Sequence, residues 1–190
     1  TPSANSSGRP STTKAAHVID DLNGKISAII DGGETPYGIE STILDLSNLA
    51  YPTLLRPGNI SKEEIEAVIE HPVYLKEELV GLSERQEEKH YEPRIPVYIV
   101  SSDWNKAIEQ FNRNDHKIAL LADDEIVNQY KEEVFVSFSL GKQDDVQAAN
   151  KNLFEGLRTL EQTKATIILA GSYTNEGMGI PFMNRLRNAA

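Results

Sequence analysis

The opening of the chain, TPSANSSGRPS at positions 1–11, concentrates small polar side chains that could bind an anion. It carries several hydroxyl groups, one amide and Arg9, and two prolines restrict its backbone. Such a loop brings backbone N–H groups, hydroxyls and a guanidinium close to an anion without bulky side chains in the way. It runs into a helical pattern, whose first N–H groups also favour negative charge. Serine and asparagine are equally typical of turns and helix N-caps, so a purely structural loop stays open.

Two residues farther along could contact a ligand. Ser41, at the start of a predicted strand, could be a nucleophile, a hydrogen-bonding group for a substrate, or an ordinary strand residue. No Gly-x-Ser-x-Gly motif surrounds it, which disfavours the nucleophile. Arg56 ends the next predicted strand, before a Pro-Gly pair, and strand ends commonly carry ligand contacts in α/β proteins. A structural salt bridge is the alternative for Arg56.

Tyr91 follows His90 in a charged, proline-containing stretch. An aromatic residue in a polar linker is usually a docking anchor. The histidines at 17, 71, 90 and 116 show no metal-ligand spacing, and His17, within a helical pattern, is interpreted as structural. The glycines at 177 and 179 lack the third glycine of a dinucleotide fingerprint. These patterns predict neither a catalytic side chain nor a metal site.

The composition limits the classes of function. The chain has 190 residues, enough for one large domain or two small ones. Its net charge of -10 argues against a broad nucleic-acid-binding surface. No stretch approaches the roughly 18 apolar residues of a membrane span. Cysteine is absent, which excludes disulfides and thiolate chemistry and fits a reducing compartment, so we expect a cytoplasmic protein without membrane contacts.

The elements that position the polar residues can be predicted from local patterns. Apolar spacing predicts a helix over 15–22 that ends near Asn23-Gly24. Strands are predicted at 26–30, 41–46 and 53–56. Ser61 followed by Glu64 matches a capping box, which opens a helix that ends before His71-Pro72.

The rest of the chain is predicted to be a linker and a second domain. Residues 73–94 are polar and end in a proline-containing stretch, which indicates a linker between a first domain, 1–72, and a second, 95–190. Strands are predicted at 97–100, 118–122, 134–138 and 166–170, alternating with helices that include a last one at 181–189. This alternation predicts a small doubly wound, Rossmann-like α/β domain with a parallel sheet and right-handed crossovers.

Several short motifs occur along the chain in one order. Resemblance to the back half of the YrdC-like domain is carried by Ser3-Ala4-Asn5-x-Ser7-Gly8-x-x-Ser11, His17-Val18, Glu40-Ser41-Thr42-Ile43-x-Asp45 and Leu55-Arg56-Pro57-Gly58. Resemblance to the long, two-domain threonylcarbamoyl-AMP synthases of that family is carried by His90-Tyr91-x-Pro93 and Gly177-x-Gly179-x-x-x-Met183-Asn184-Arg185-Leu186. It implies that 1–72 is the C-terminal part of a twisted α/β YrdC-like domain, whose N-terminal half and basic nucleotide-binding motif are expected to be missing.

The resemblance also implies a reaction. Family members convert L-threonine, bicarbonate and ATP into L-threonylcarbamoyladenylate and pyrophosphate, and the adenylate passes to the threonylcarbamoyl transferase machinery that modifies tRNA. Such a step requires positioning and charge neutralisation, without a side-chain nucleophile. Any Mg²⁺ would arrive with the ATP phosphates. The 190-residue chain by itself is expected to have no catalytic activity or a very weak one.

Site residues follow from the same resemblance. It implies ATP contacts by Ser3, Ser11, Arg56 and Tyr91. It implies threonine contacts by Thr1 and Ser41. The linker would act as a lid whose tyrosine reaches the nucleotide, with His90 as a weaker neighbour.

Two other functions stay open. The second domain, with its glycine-containing loop at 171–179, could be a regulatory module that binds a nucleotide or a partner without catalysis. RNA recognition as the main role is disfavoured by the acidic charge and by the lack of a basic and aromatic strip.

Overall fold

The computed structural model describes residues 3–76, 78 and 91–190, and two short sheets organise them. Thr1 and His90, both named above, lie outside the described residues.

We call residues 3–76 the first region and residues 91–190 the second region. The elements of the first region are α1 (Ala15–Leu22), β1 (Ile43–Asp45), β2 (Thr53–Arg56), α2 (Lys62–Ile69) and β3 (Tyr74–Leu75). The elements of the second are β4 (Val97–Val100), α3 (Trp104–Asn112), β5 (Ile118–Ala122), α4 (Asp124–Tyr130), β6 (Val136–Ser139), α5 (Val146–Glu161), β7 (Ile167–Gly171) and α6 (Gly179–Ala189).

The first region contains a sheet of three short strands in the order β1-β2-β3. β1 and β2 are antiparallel and β2 and β3 are parallel. The strand predicted at 41–46 is confirmed over Ile43–Asp45, and the one at 53–56 over its whole length. β3 was not predicted, and it lies within the stretch that the sequence assigns to the linker.

The strand prediction for 26–30 is wrong. These residues form no regular element, and Ile26 is 46% and Ile30 95% exposed. A short apolar run becomes a buried strand only when neighbouring strands satisfy its backbone and other elements cover its faces. β2 pairs with β1 on one side and with β3 on the other, and no strand of the described residues pairs with this run.

Both predicted helices of the first region are confirmed. α1 ends at Leu22, and the N–H of its C-cap Asn23 bonds the carbonyl of Ile19. α2 begins with the predicted capping box: the Ser61 hydroxyl accepts from the Glu64 N–H, and the Glu64 carboxylate accepts from the Ser61 N–H. This reciprocal pair satisfies backbone donors that the first turn leaves free.

The second region has the predicted parallel sheet, with strand order β4-β7-β5-β6. Alternate residues of the central strands point to opposite faces. One face packs against α5 and α6 through Leu153, Leu157 and Phe182, and the other packs against α3 and α4 through Trp104 and Tyr130. Every residue of β5 and β7 is buried because helices cover the sheet on both sides. In the part of the chain that the structure describes, no helix is long and apolar enough to span a membrane.

Candidate functional site

The opening loop is held in a compact turn by its own amide and glycine. Gly8 has φ +79°, a conformation that suits glycine, and the Arg9 N–H bonds the Ser6 carbonyl at 3.2 Å. The Asn5 side-chain amide donates to the carbonyls of Ser6, at 2.9 Å, and Arg9, at 3.3 Å. The Glu92 N–H bonds the Gly8 carbonyl at 2.8 Å, which fastens the loop to the start of the second region. Asn5 is therefore a loop-forming residue in this structure.

A buried arginine of α5 holds the end of this loop. Arg158, 1% exposed, donates to the Pro10 carbonyl at 3.0 Å and to the Asp21 carboxylate at 3.1 and 2.8 Å. The Ser6 N–H bonds the same carboxylate at 3.0 Å. Burial opposes the ionisation of Asp21, but the bonds from Arg158 and Ser6 outweigh it and hold the pKa of Asp21 below its usual value. The loop and α1 are thus locked onto α5.

Arg9, whose guanidinium was expected to face an anion, has a structural partner. Its guanidinium forms an ion pair with Glu161, whose side chain is 2% exposed, and bonds the Glu92 carbonyl at 3.3 Å. Ser3, on the same loop, is exposed. Ser3 is thus more exposed than Arg9, whose side chain is 18% exposed.

His17 has the structural role that its helical position indicates. Its Nδ1 atom lies 3.2 Å from the Thr13 N–H nitrogen and its Nε2 atom 3.0 Å from the Glu155 carboxylate. Burial lowers the pKa of His17, although Glu155 acts in the opposite direction. We assign the neutral tautomer that accepts from Thr13 and donates to Glu155, because it satisfies both contacts without a buried charge.

The Glu40 carboxylate is the centre of the candidate site. It accepts from the Ser11 hydroxyl and, at 3.1 Å, from Nε of Arg185. It also hydrogen-bonds the Tyr91 hydroxyl. Two of the predicted ATP-contacting residues, Ser11 and Tyr91, are therefore brought together by an acid that the sequence did not single out, and that acid directly precedes Ser41.

The Tyr91 ring packs against α5 while its hydroxyl contacts Glu40. Its ring centroid lies 5.0 Å from that of Phe154 on α5, and its backbone adopts φ +68°, which is uncommon for a residue other than glycine. Burial raises the pKa of Tyr91, and the negative charge of Glu40 raises it further. The hydroxyl consequently stays protonated at neutral pH and can act as a donor. The side chain is thus both a docking anchor and part of the polar cluster.

Ser41 and Arg56 form a pair at the edge of the small sheet. Nε of Arg56 bonds the Ser41 carbonyl at 3.0 Å, and Nη2 bonds the Ser41 hydroxyl at 3.2 Å. Ser41 is exposed and Arg56 is half-buried. Gly58 permits this close approach, because a Cβ atom there would overlap the backbone of Thr42. The positive charge of Arg56 opposes part of the rise in the pKa of Tyr91, so the two side chains interact electrostatically.

Arg185 completes the cluster and was missed as a site residue by sequence reasoning. It lies on α6, is 0% exposed, and bonds both Glu40 and the Pro57 carbonyl. Its Nη2 atom has no hydrogen-bond partner among the residues that the structure describes. Burial lowers the pKa of Arg185 and Glu40 offsets part of that effect, so the guanidinium stays charged. Its position in the quoted Met183–Leu186 motif was the signal that could have identified it.

A cavity of about 310 Å³ lies on another side of the opening loop. Its lining includes Ala4, Thr12, Thr13 and the first residues of α1, together with residues between 26 and 35. The cavity is mostly apolar, with Lys14 and Asp31 among its lining residues. The clustered side chains around Glu40 lie outside the lining of this cavity. Within residues 3–76, 78 and 91–190, no group of His, Cys, Asp or Glu could hold a metal ion.

Comparisons with known proteins identify relatives of this chain. A family model described as the C-terminal domain of threonylcarbamoyl-AMP synthase matches residues 60–190, and one described as telomere recombination matches residues 1–58. The chain is 36% identical over 200 residues to the threonylcarbamoyl-AMP synthase of Bacillus subtilis and 39% identical over 201 residues to that of Pyrococcus abyssi. Each match covers 100% of the chain and 56% of the relative. The chain thus spans about half the length of these curated relatives.

Solved structures show the same fold. A crystal structure of P. abyssi Sua5 complexed with L-threonine matches with a TM-score of 0.82 and 36% identity, covering 99% of this chain and 56% of that one. A P. abyssi Sua5 variant with an adjacent histidine and tyrosine changed to alanine matches with a TM-score of 0.81 and 36% identity, covering 99% and 55%. The α/β fold with a parallel sheet is therefore confirmed. This chain belongs to the threonylcarbamoyl-AMP synthase family.

Proposed function

We propose that this chain forms part of an enzyme that makes L-threonylcarbamoyladenylate from L-threonine, bicarbonate and ATP, with release of pyrophosphate. Support comes from the family membership and from the likeness to a Sua5 structure complexed with L-threonine. The names of the relatives favour this enzyme over a regulatory module without catalysis. The chain spans about half the length of these relatives, so the proposal concerns a full-length protein that contains this chain.

The observation that carries the proposal is the Arg56–Ser41 pair. One guanidinium bonds both the carbonyl and the hydroxyl of Ser41, at 3.0 and 3.2 Å. A cation suited to phosphate and a hydroxyl suited to an amino acid are thus one hydrogen bond apart, as a reaction between threonine and ATP requires. We assign Ser41 to threonine and Arg56 to the ATP phosphates.

The remaining predicted contacts are proposals of the same kind. Ser11 and Tyr91 both hydrogen-bond the Glu40 carboxylate, and Glu40 directly precedes Ser41. We propose that they contact ATP together with Ser3, and that Thr1 borders the threonine. An adjacent His and Tyr were changed to alanine in one solved P. abyssi Sua5. This chain has such a pair at His90-Tyr91, and we propose that the linker acts as a lid.

The chemistry needs positioning and charge neutralisation more than a reactive side chain. The threonine amine combines with bicarbonate to give a carbamate and water. A carbamate carboxylate oxygen then attacks the α-phosphorus of ATP, and the bond to pyrophosphate breaks. Arg56 would stabilise the negative charge on the phosphate oxygens in this step. Mg²⁺ would enter with the ATP phosphates, because it is commonly held by substrate phosphates and few protein ligands.

The wider setting follows from the reaction. We propose a two-domain protein with the boundaries expected from sequence, 1–72, 73–94 and 95–190. The two regions have separate sheets, and β3 adds residues 74 and 75 of the linker stretch to the first sheet. The adenylate product is activated for transfer, so the next step is acceptance of the threonylcarbamoyl group by the tRNA-modifying machinery. The cytoplasm, where ATP, threonine and tRNA occur together, is the compartment that we propose.

A pyrophosphate-release assay on the full-length protein that contains this chain tests the function. We expect release that requires threonine, bicarbonate and ATP together, and that stops when any one of them is omitted. An Arg56→Gln variant should lose most of the activity, whereas Arg113→Gln, which changes an exposed arginine paired with Glu109, should retain it. Full-length protein that releases no pyrophosphate under these conditions would contradict the proposal.

A further inference from the structure

Arg185 is a buried cation that α6 inserts between two segments of the first region. It is 0% exposed, and its contacts cross the boundary between the regions. Nε donates to the Glu40 carboxylate at 3.1 Å, and Nη1 donates to the Pro57 carbonyl. A buried charge of this kind is tolerated only when it is paired and hydrogen-bonded, so both contacts are needed to hold it there.

Each contact of Arg185 lies beside one member of the Arg56–Ser41 pair. Glu40 directly precedes Ser41, and Pro57 directly follows Arg56. Arg56 in turn bonds Ser41. A single guanidinium of the second region therefore fixes the ends of the two segments that carry the proposed threonine and phosphate contacts.

The geometry suits arginine and no other side chain. A planar guanidinium can donate in two directions at once, whereas the ammonium group of lysine is a compact point charge on a flexible stem. Glu40 also holds Ser11 and Tyr91, so a shift of this carboxylate would disturb them as well. The Arg185 side chain thereby connects the packing of α6 with the positions of four proposed substrate-contacting side chains.

We propose that Arg185 is a positioning residue for the reaction, and that α6 acts through it to align Ser41 with Arg56. The inference rests on the proposed function, since it concerns the alignment of that enzyme's two substrates. It predicts that replacing Arg185 lowers turnover more than substrate binding. Ser41 can still bind threonine and Arg56 can still bind ATP, but the two substrates are no longer aligned with each other. Displacements on the order of 1 Å can cost about 100-fold in rate.

The test compares Arg185→Lys with Arg187→Lys in the full-length protein. Arg187 lies on the same helix, is exposed, and has one long contact to Asn175 at 3.4 Å, which makes it a matched control. Rates of pyrophosphate release give kcat and KM for threonine and ATP, and thermal unfolding reports stability. We expect Arg185→Lys to lower kcat by about 100-fold with little change in either KM, and Arg187→Lys to leave both constants unchanged.

The outcomes separate the inference from the proposed function. Equal activity of the two lysine variants, in a parent that releases pyrophosphate, overturns the inference alone. A fall in kcat that only follows a lower melting temperature, or a rise in KM without a fall in kcat, also overturns it. If Arg185→Lys does not fold, Glu40→Gln decides: lower kcat at an unchanged melting temperature supports the inference, and unchanged kcat overturns it. A parent without pyrophosphate release overturns both proposals.

Discussion

The two regions of the molecule stabilise their sheets in different ways. In the second region, helices cover both faces of the parallel sheet, and every residue of β5 and β7 is buried. In the first region, β1 and β2 leave Ile43 42% and Leu55 47% exposed. The second region is thus stabilised chiefly by apolar burial, whereas the first depends to a greater extent on polar contacts to its neighbour.

Exposed apolar side chains show the same difference. Among the described residues, the second region exposes two large apolar side chains, Tyr98 and Phe135. The first region exposes many more: Ile19, Ile26, Ile30, Tyr37, Ile43, Leu46, Leu49, Tyr51, Leu55, Ile60 and Val68. Three arginine–carboxylate pairs, Arg158–Asp21, Arg9–Glu161 and Arg185–Glu40, join the regions. We conclude that the first region is positioned largely by the helices of the second.

The largest expected effect comes from removing the most buried of these pairs. Arg158→Met should lower the free energy of unfolding by about 3–5 kcal/mol, because it leaves the Asp21 carboxylate buried without its cation. Urea denaturation of this chain measures the change. Arg113→Met, at an exposed pair with Glu109, is the control and should change stability by less than about 0.5 kcal/mol. A similar small change at both positions would contradict the dependence of the first region on the second.

Core truncation tests the apolar side of the comparison. Leu157→Ala, at a residue 0% exposed, should cost about 2–5 kcal/mol through lost burial and the cavity left behind. Leu49→Ala removes the same atoms at a residue 73% exposed and should stay within about 0.5 kcal/mol. Both values come from denaturant unfolding. If both variants lowered the free energy of unfolding equally, Leu49 would contribute to stability as a core residue does, which would contradict the comparison.

Helix caps show whether the regions unfold together. Ser61→Ala, at the start of α2, and Asp123→Ala, at the start of α4, should each cost about 1 kcal/mol. Because buried ion pairs join the regions, we expect both variants to shift one common transition, followed by circular dichroism and by Trp104 fluorescence. A separate early transition that responds only to Ser61→Ala would break the proposed coupling.

The smallest expected effect is a pH dependence at α1. Burial lowers the pKa of His17 below the unfolded value of about 6.5, so the unfolded chain binds more protons at this residue. His17 thus stabilises the fold above that pH, and this contribution falls as the pH drops below about 6.5 towards the folded pKa. Urea titrations at several values between about pH 5 and 8 give the free energy of unfolding as a function of pH. Its slope against pH should be smaller for His17→Gln than for the wild type. An unchanged slope in His17→Gln would contradict the prediction.

Local patterns accounted for much of the fold. The capping box at Ser61 and Glu64, the helix end at Asn23 and the alternating elements after residue 95 were all predictable, because each depends on residues close in sequence. The strand expected at 26–30 was wrong, since strand formation depends on partners elsewhere in the chain. β3, with two residues, was too short to give a periodic signal.

For the candidate site, the sequence by itself determined the types of the polar residues and their order along the chain, and hence the family resemblance. Only the tertiary structure decided which of them meet. Glu40 and Arg185 are 145 positions apart, and Asp21 and Arg158 are 137 apart. No local rule connects such positions, because the pairing of buried charges depends on how α5 and α6 pack against the first region. The same packing assigned Arg9 to Glu161.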